Sequence, residues 1–298
     1  MKHIVLALLL SAAAVPAHAA LRVFTCEPEW AALATEIGGD LVDTYSATTA
    51  LQDPHYIQAR PSLIAKLRRA DLVVCSGAQL EVGWLPQLYS KASNPRVQPG
   101  NPGFIEASAL VTRLEVPTSV DRSQGDIHPL GNPHVQTNPH NIAVIAGVLA
   151  ARLAQIDAGN ADTYRANLAD FQKRWSAAIA GWESRAAPLR GKRMITHHKS
   201  WVYLEQWLGM QEVGNLEPVP GVPPTAAHLA DLLAKFGNGG ADLIVRAPFQ
   251  DPKPSAWLSE RSGIRATVLP LSVGGTDQAT DLFHMFDDII NRLLGEAS

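Results

Sequence analysis

Between residues 161 and 185 the sequence places Tyr164, Leu168, Phe171, Trp175, Ile179 and Trp182 at intervals of three or four. That spacing lays them along one stripe of an α-helix, which reads as core packing. A helix of about 25 residues runs nearly 40 Å, long for a domain helix and suited to a spine between two lobes. The almost wholly apolar stretch 141–156 precedes it, broken off by Asp157-Ala158-Gly159-Asn160. On either side, strand and helix signals alternate. Strands are predicted at 21–25, 40–45 and 71–75, with helices at 29–37, 60–69 and 81–89. Residues 92–140, rich in Pro, Asn, Gly and Asp, read as loops and short strands. Strands follow at 192–196, 211–216, 242–246 and 265–269, with helices at 201–208, 223–236, 254–262 and 277–294. Such alternation predicts βαβ units and parallel sheets. The expected fold is α/β: two lobes with parallel-type sheets flanked by helices, joined by one long backbone helix. The N-terminal lobe is expected over 20–140, the helical region over 141–190 and the C-terminal lobe over 191–298. Ligands of such folds sit where the C-terminal ends of the strands face one another.

The first 19 residues read as a secretory signal peptide. Lys2 and His3 precede an apolar run over 4–10, and Ala17-His18-Ala19 is a small-x-small cleavage site. The run is too short to span a membrane, and no later run reaches about 18 apolar residues. No cysteine stands at the cleavage point, so a lipid anchor is not indicated. Cleavage after Ala19 implies a periplasmic chain of about 280 residues, enough for two domains with their own cores. The 46% hydrophobic fraction excludes a disordered chain, and a net charge of −3 gives no sign of a nucleic-acid or polybasic membrane surface. Cys26 and Cys75 each follow a strand-like run. If those strands are neighbours in a parallel sheet the two can pair in an oxidising compartment; otherwise they pack as buried thiols.

The histidines are unevenly placed. The chain has ten, of which His3 and His18 fall in the leader. His55 lies in Asp53-Pro54-His55. His128, His134 and His140 share the segment 126–140, the last two in Asn132-Pro133-His134 and Asn138-Pro139-His140. His197 and His198 end the strand predicted at 192–196, while His228 and His284 fall within predicted helices. Six of the eight therefore lie in loops or at strand ends, where sites are built. The proline before His55, His134 and His140 stiffens the backbone that carries each imidazole. Zn²⁺ takes four ligands from His, Cys and carboxylate, whereas Mn²⁺ and Mg²⁺ prefer oxygen, so a surplus of loop histidines leans toward Zn(II).

The motifs Asp53-Pro-His55, Asn132-Pro-His134 with Asn138-Pro139, and Thr196-His197-His198-Lys-Ser-Trp-Val-Tyr203 resemble those of the zinc and manganese solute-binding proteins of ABC-type metal importers. The resemblance covers nearly the whole mature chain, including the segments 70–85 and 215–225. It implies a monomeric periplasmic protein that captures a metal between its lobes and hands it to an inner-membrane ABC permease. Carried over residue by residue, it implies His55, His134 and His198 as ligands. The family's fourth ligand is an acidic residue near the last strand and final helix. Counting back from that helix lands near Ser272; a slightly shifted loop supplies Asp277, which is the expected ligand, ahead of Asp281 and water. Asp281 also suits a helix N-cap. The third motif carries histidine where manganese-type members place Glu, which sharpens the zinc reading. The chain departs from many zinc-type members in its short loop 121–131, whose one histidine is His128. His128 and His140 are solvated loop residues or auxiliary capture ligands. His197 and His198, as successive strand residues, face opposite ways. Asp53, Glu81 and Glu205 are candidates to hold ligand imidazoles from behind.

Two other function classes compete. A periplasmic zinc hydrolase would also use three histidines, but neither His-Glu-x-x-His nor Gly-x-Ser-x-Gly occurs. A binding protein for a chelated metal or siderophore would line its pocket with Arg246 and tryptophans.

Overall fold

The computed structural model of the chain describes residues 19–119, 121 and 125–296. Apart from Ala19, the expected leader lies outside the described residues. Strands β1 (Leu21–Thr25), β2 (Val42–Ser46), β3 (Leu72–Cys75) and β4 (Phe104–Glu106) form one sheet in the order β2-β1-β3-β4, all parallel. Strands β5 (Arg193–Thr196), β6 (Gln211–Asn215), β7 (Leu243–Arg246) and β8 (Arg265–Val268) repeat that plan as β6-β5-β7-β8. Parallel neighbours need crossovers. In the first lobe these use α1 (Pro28–Gly38), α2 (Pro61–Arg69) and α3 (Leu85–Ala92); in the second, α6 (Val202–Leu208), α7 (Ala226–Phe236) and α8 (Pro252–Ser262). The apolar run of β3 is buried at every position, as a strand covered on both faces must be.

Between the lobes lie α4 (Pro139–Ile156) and α5 (Ala161–Ala186). The predicted stripe of α5 faces inward: Tyr164, Phe171, Trp175, Ile179 and Trp182 are buried. Trp175 stacks on Phe171 at 5.1 Å between ring centroids, and Trp182 meets Phe286 of the closing helix α9 (Leu282–Leu294) at 5.1 Å. Val23 and Leu72 of the first sheet share one continuous core with Met194 and Leu243 of the second. The spine is thus welded to both lobes. With Pro139 and His140 included, α4 reaches 18 residues and is apolar enough by composition to cross a membrane. Its Ile142, Ile145, Leu149 and Leu153 are instead buried in that shared core.

The two largest shifts of an expected boundary are both at helix starts. The helix predicted from 81 begins at Leu85, because Gly77, Ala78 and Gln79 all take positive φ and Glu81 turns back to accept the Gly77 N–H. The final helix begins at Leu282, not 277. Asp281 caps it by accepting the His284 N–H at 2.9 Å, and the preceding residues fold into a turn closed by Ala279 N–H to the Thr276 carbonyl. Cys26 and Cys75, at the C-terminal ends of the paired strands β1 and β3, form a disulfide with their Cα atoms 4.8 Å apart. That resolves the question left by the sequence in favour of the bond.

Candidate metal centre

Three Asx-Pro-His tripeptides do the same local work. The Asp53 carboxylate accepts the His55 N–H at 3.0 Å, the Asn132 side-chain carbonyl accepts the His134 N–H at 3.0 Å, and Asn138 accepts the His140 N–H at 2.9 Å. Each is a tight turn in which the short polar side chain stands in for backbone and proline fixes the intervening φ. The first two present their imidazoles to one cavity. The third opens α4, and its His140 turns outward to Glu183 at 2.8 Å.

His198 reaches that cavity from the other lobe. It lies beyond β5, whose pairing with β7 continues one residue further through His197 N–H to the Val245 carbonyl at 2.8 Å. One nitrogen from each of His55, His134 and His198 lies within 4.8 Å of the others. The cavity, of about 310 Å³, is lined from both lobes, with Asp53, His55 and His134 on one side and His197, His198 and Glu217 on the other.

The imidazoles are oriented from behind. His55 Nδ1 lies 2.7 Å from Asp53 Oδ1, and His198 Nδ1 lies 2.7 Å from Glu217 Oε2. In the neutral rings these contacts fix the proton on Nδ1 and leave the Nε2 lone pairs free, the arrangement that ligand histidines adopt. Burial pushes the Asp53 carboxyl up, but hydrogen bonding and charge interaction with His55 outweigh it and hold the group below the usual carboxylate range. His134 is 1% exposed, and neither ring nitrogen has a hydrogen-bond partner. Burial, reinforced by His55 and His198, holds it neutral well below the ordinary histidine range. A buried polar ring with both nitrogens unsatisfied calls for a ligand. Three neutral imidazoles with a divalent ion carry +2, and the two backing carboxylates supply −2.

A fourth imidazole stands beside them. His128 Nε2 is 3.2 Å from His55 Nε2, and the two rings stack with centroids 5.2 Å apart. Burial, with His55 and His198 adding to it, lowers His128 to about 4.

The structure therefore gathers His55, His134 and His198. Asp277 is exposed in the turn before α9 and does not line this cavity. Ser272 is buried and donates its hydroxyl to Glu29. His197 reaches the cavity wall with its Nδ1 unpartnered, and burial lowers its pKa. His228 Nε2 meets the Asn215 carbonyl at 2.9 Å, away from the cavity. Of the expected outer partners, Asp53 serves. Glu81 hydrogen-bonds to the Gly77 backbone, and Glu205 is half-buried near Glu212, with desolvation raising it to about 8. Glu217 was missed. It lies in the 215–225 segment, but nothing local marks it as the partner of a residue 19 positions earlier. Arg246 directs its Nη1 to the carbonyls of Ala247, Pro248 and Gln250 and does not line this cavity.

The family model described as "Zinc-uptake complex component A periplasmic" matches residues 23–295. The high-affinity zinc uptake system protein ZnuA of Paracoccus denitrificans is 26% identical over 312 residues, covering 93% of this chain and 92% of that one. The manganese ABC transporter substrate-binding lipoprotein PsaA of Streptococcus pneumoniae is 25% identical over 251 residues, covering 82% of this chain and 77% of the relative. Among solved structures, a crystal structure of ZnuA superimposes with a TM-score of 0.76 at 23% identity, over 92% of this chain and 100% of that chain.

Proposed function

The chain belongs to the periplasmic zinc-uptake component A family, the metal-binding proteins of ABC importers and not enzymes, and from that premise we propose that its cargo is Zn(II), held by His55, His134 and His198. One observation carries the reading. His134 is buried with both nitrogens unpartnered, beside two imidazoles whose Nδ1 atoms are each engaged 2.7 Å from a carboxylate. Neutral nitrogen ligands suit Zn²⁺ and handicap Mn²⁺, which prefers oxygen. The ion enters between the lobes, replaces its water shell with imidazole nitrogens at about 2.0–2.1 Å, and draws ligands from both sheets into one arrangement. The core shared across α5 favours a small adjustment over a wide hinge. Delivery then goes to the inner-membrane permease of the importer, and the protein works as a monomer in the periplasm.

Titration of the dialysed mature protein with Zn²⁺ against a competing chelator tests this. One tight equivalent is expected, outcompeting Mn²⁺, with a steep loss of affinity in His134→Ala. An unaltered affinity in that variant removes the proposed site.

A further inference from the structure

A second, much smaller cavity of about 20 Å³ lies between the lobes, and none of His55, His134 and His198 lines it. Glu27, Glu29, Thr48 and Gln136 face it from one side, and Leu271 and Ser272 face it from the second lobe. Exposed Thr49 stands at its rim, which leaves a way in from solvent. One water-sized species needs about 10–15 Å³, so the cavity has room for a single monatomic guest.

Each carboxylate there spends one oxygen on protein donors and leaves the other bare. Glu27 Oε2 accepts the Ser76 N–H at 3.2 Å and the Ser76 hydroxyl at 3.0 Å. That hydroxyl in turn accepts the Trp30 indole N–H at 3.0 Å, so its own proton goes to Glu27. Glu29 Oε2 accepts the Ser272 hydroxyl across the lobe boundary. Glu27 Oε1 and Glu29 Oε1 are buried without a partner. Gln136 adds an independent, uncharged observation. The residue is 3% exposed, its Nε2 donates to the Leu271 carbonyl at 3.4 Å, and its Oε1 has no partner. That carbonyl fixes which end of the amide is nitrogen, and the oxygen is left over.

Three unpartnered oxygens, all on residues lining one water-sized cavity, are an arrangement that native interiors complete with a donor or a cation. A single water has fewer protons to give than the oxygens it would serve. The local potential favours positive charge: burial raises Glu29 to about 7, and burial followed by the charges of Glu81 and Glu29 raises Glu27 as well. The donors are carboxylate and amide oxygens, with no imidazole and no thiolate among them. Such a set suits a hard cation. Ca²⁺ accepts oxygen ligands in flexible geometry, whereas Mg²⁺ keeps several waters that this cavity has no room for.

We propose that Glu27, Glu29 and Gln136 form a second cation site, a Ca²⁺ site, that pins the two lobes together beside the histidine centre. Glu29 and Gln136 already hold groups of the second lobe, Ser272 and Leu271. A cation shared by them braces the lobe boundary two residues from His134. The two sites share no ligand, so this one stands or falls apart from the zinc reading.

Equilibrium dialysis of the zinc-loaded mature protein against radioactive Ca²⁺ tests it. Extracellular calcium modules have dissociation constants of about 10⁻⁴–10⁻³ M, so the titration runs to about 10⁻² M. One saturable equivalent is expected in the wild type, together with a calcium-dependent rise in unfolding temperature. The same equivalent is expected in metal-free His134→Ala. Ligand charge tunes such sites, so Glu27→Gln and Glu29→Gln are each expected to weaken calcium binding roughly 10-fold or more while keeping the zinc equivalent. Gln136→Leu is expected to weaken it too. No saturable calcium in the wild type, the result if the cavity holds only a water and shared protons, overturns the proposal. So does an equivalent that persists unchanged in both Glu variants, or one lost in His134→Ala, which would put the calcium at the histidine centre. Glu→Gln keeps the side-chain shape, and unfolding temperatures without calcium check that each variant is folded.

Discussion

His198 Nδ1 sits 2.7 Å from Glu217 Oε2, matching to 0.1 Å the separation that joins His55 Nδ1 to Asp53 Oδ1. One pair comes from each lobe, and each sets the tautomer of its imidazole and offsets half the charge of a divalent cargo. Glu217 also accepts the Gly221 N–H at 2.9 Å, so it ties the ligand to the turn at 217–221. Replacement of Glu217 with Gln keeps the shape and removes the charge. The expected effect is a loss of roughly 10–100-fold in zinc affinity with little change in unfolding temperature. Chelator competition measures it, and an affinity within twofold of wild type would contradict the role.

Asp53→Asn is expected to behave alike and to do so independently. The two carboxylates back different rings on different lobes, so the losses in affinity are expected to multiply in the double variant. A double variant no weaker than either single one would show that one ring alone dominates binding.

The fold and the centre differ in how far they could be read from the sequence. The alternation of strands and helices and the α5 stripe are local patterns, and they survive folding with boundary shifts of a few residues. His55 and His134 are legible because Asx-Pro-His is itself a folding instruction: the side chain takes the histidine's own N–H two residues on. His140 carries the same tripeptide yet points to Glu183, since the turn fixes the backbone and not the lobe it faces. Glu217 and His128 are tertiary neighbours of His198 and His55 at separations of 19 and 73 residues, and no spacing announces them. The expectation of Asp277 rests on a slight shift of the loop ahead of the final helix, where a strict count reaches Ser272. Asp281 took the cap instead, and the turn ahead of it left Asp277 in solvent.

A buried acidic group sets the pH response of the metal-free protein. Desolvation raises Glu29 and Glu81 to about 7, and burial followed by the charges of Glu81 and Glu29 raises Glu27 too. Unfolded, such groups titrate near 4.3. Between about pH 4.3 and 7 the native state therefore holds more protons, so their contribution is fullest below that window and is lost as pH rises through about 7. His134, held neutral by burial, acts in the opposite sense, so the comparison is best made between variants. Glu29→Gln is expected to gain roughly 1–3 kcal/mol over wild type on going from pH 5 to pH 8. Chemical denaturation at the two pH values measures it, and a pH-independent difference would contradict the cause given.

The disulfide closes a loop with a sequence separation of 49. Replacement of both Cys26 and Cys75 with Ser is expected to cost roughly 2–4 kcal/mol of stability while leaving one equivalent of zinc bound, since neither sulfur faces the histidine cavity. Denaturation curves with and without reductant check the first part and zinc stoichiometry the second.

The central claim is that zinc lies among histidines contributed by both lobes. Crystals of the zinc-loaded protein, with diffraction data collected on either side of the zinc absorption edge, test it most directly. The account predicts one strong anomalous peak about 2.0–2.1 Å from a nitrogen of each of His55, His134 and His198. A peak ligated elsewhere, or one bound to carboxylates with any of these three imidazoles turned away, would contradict it.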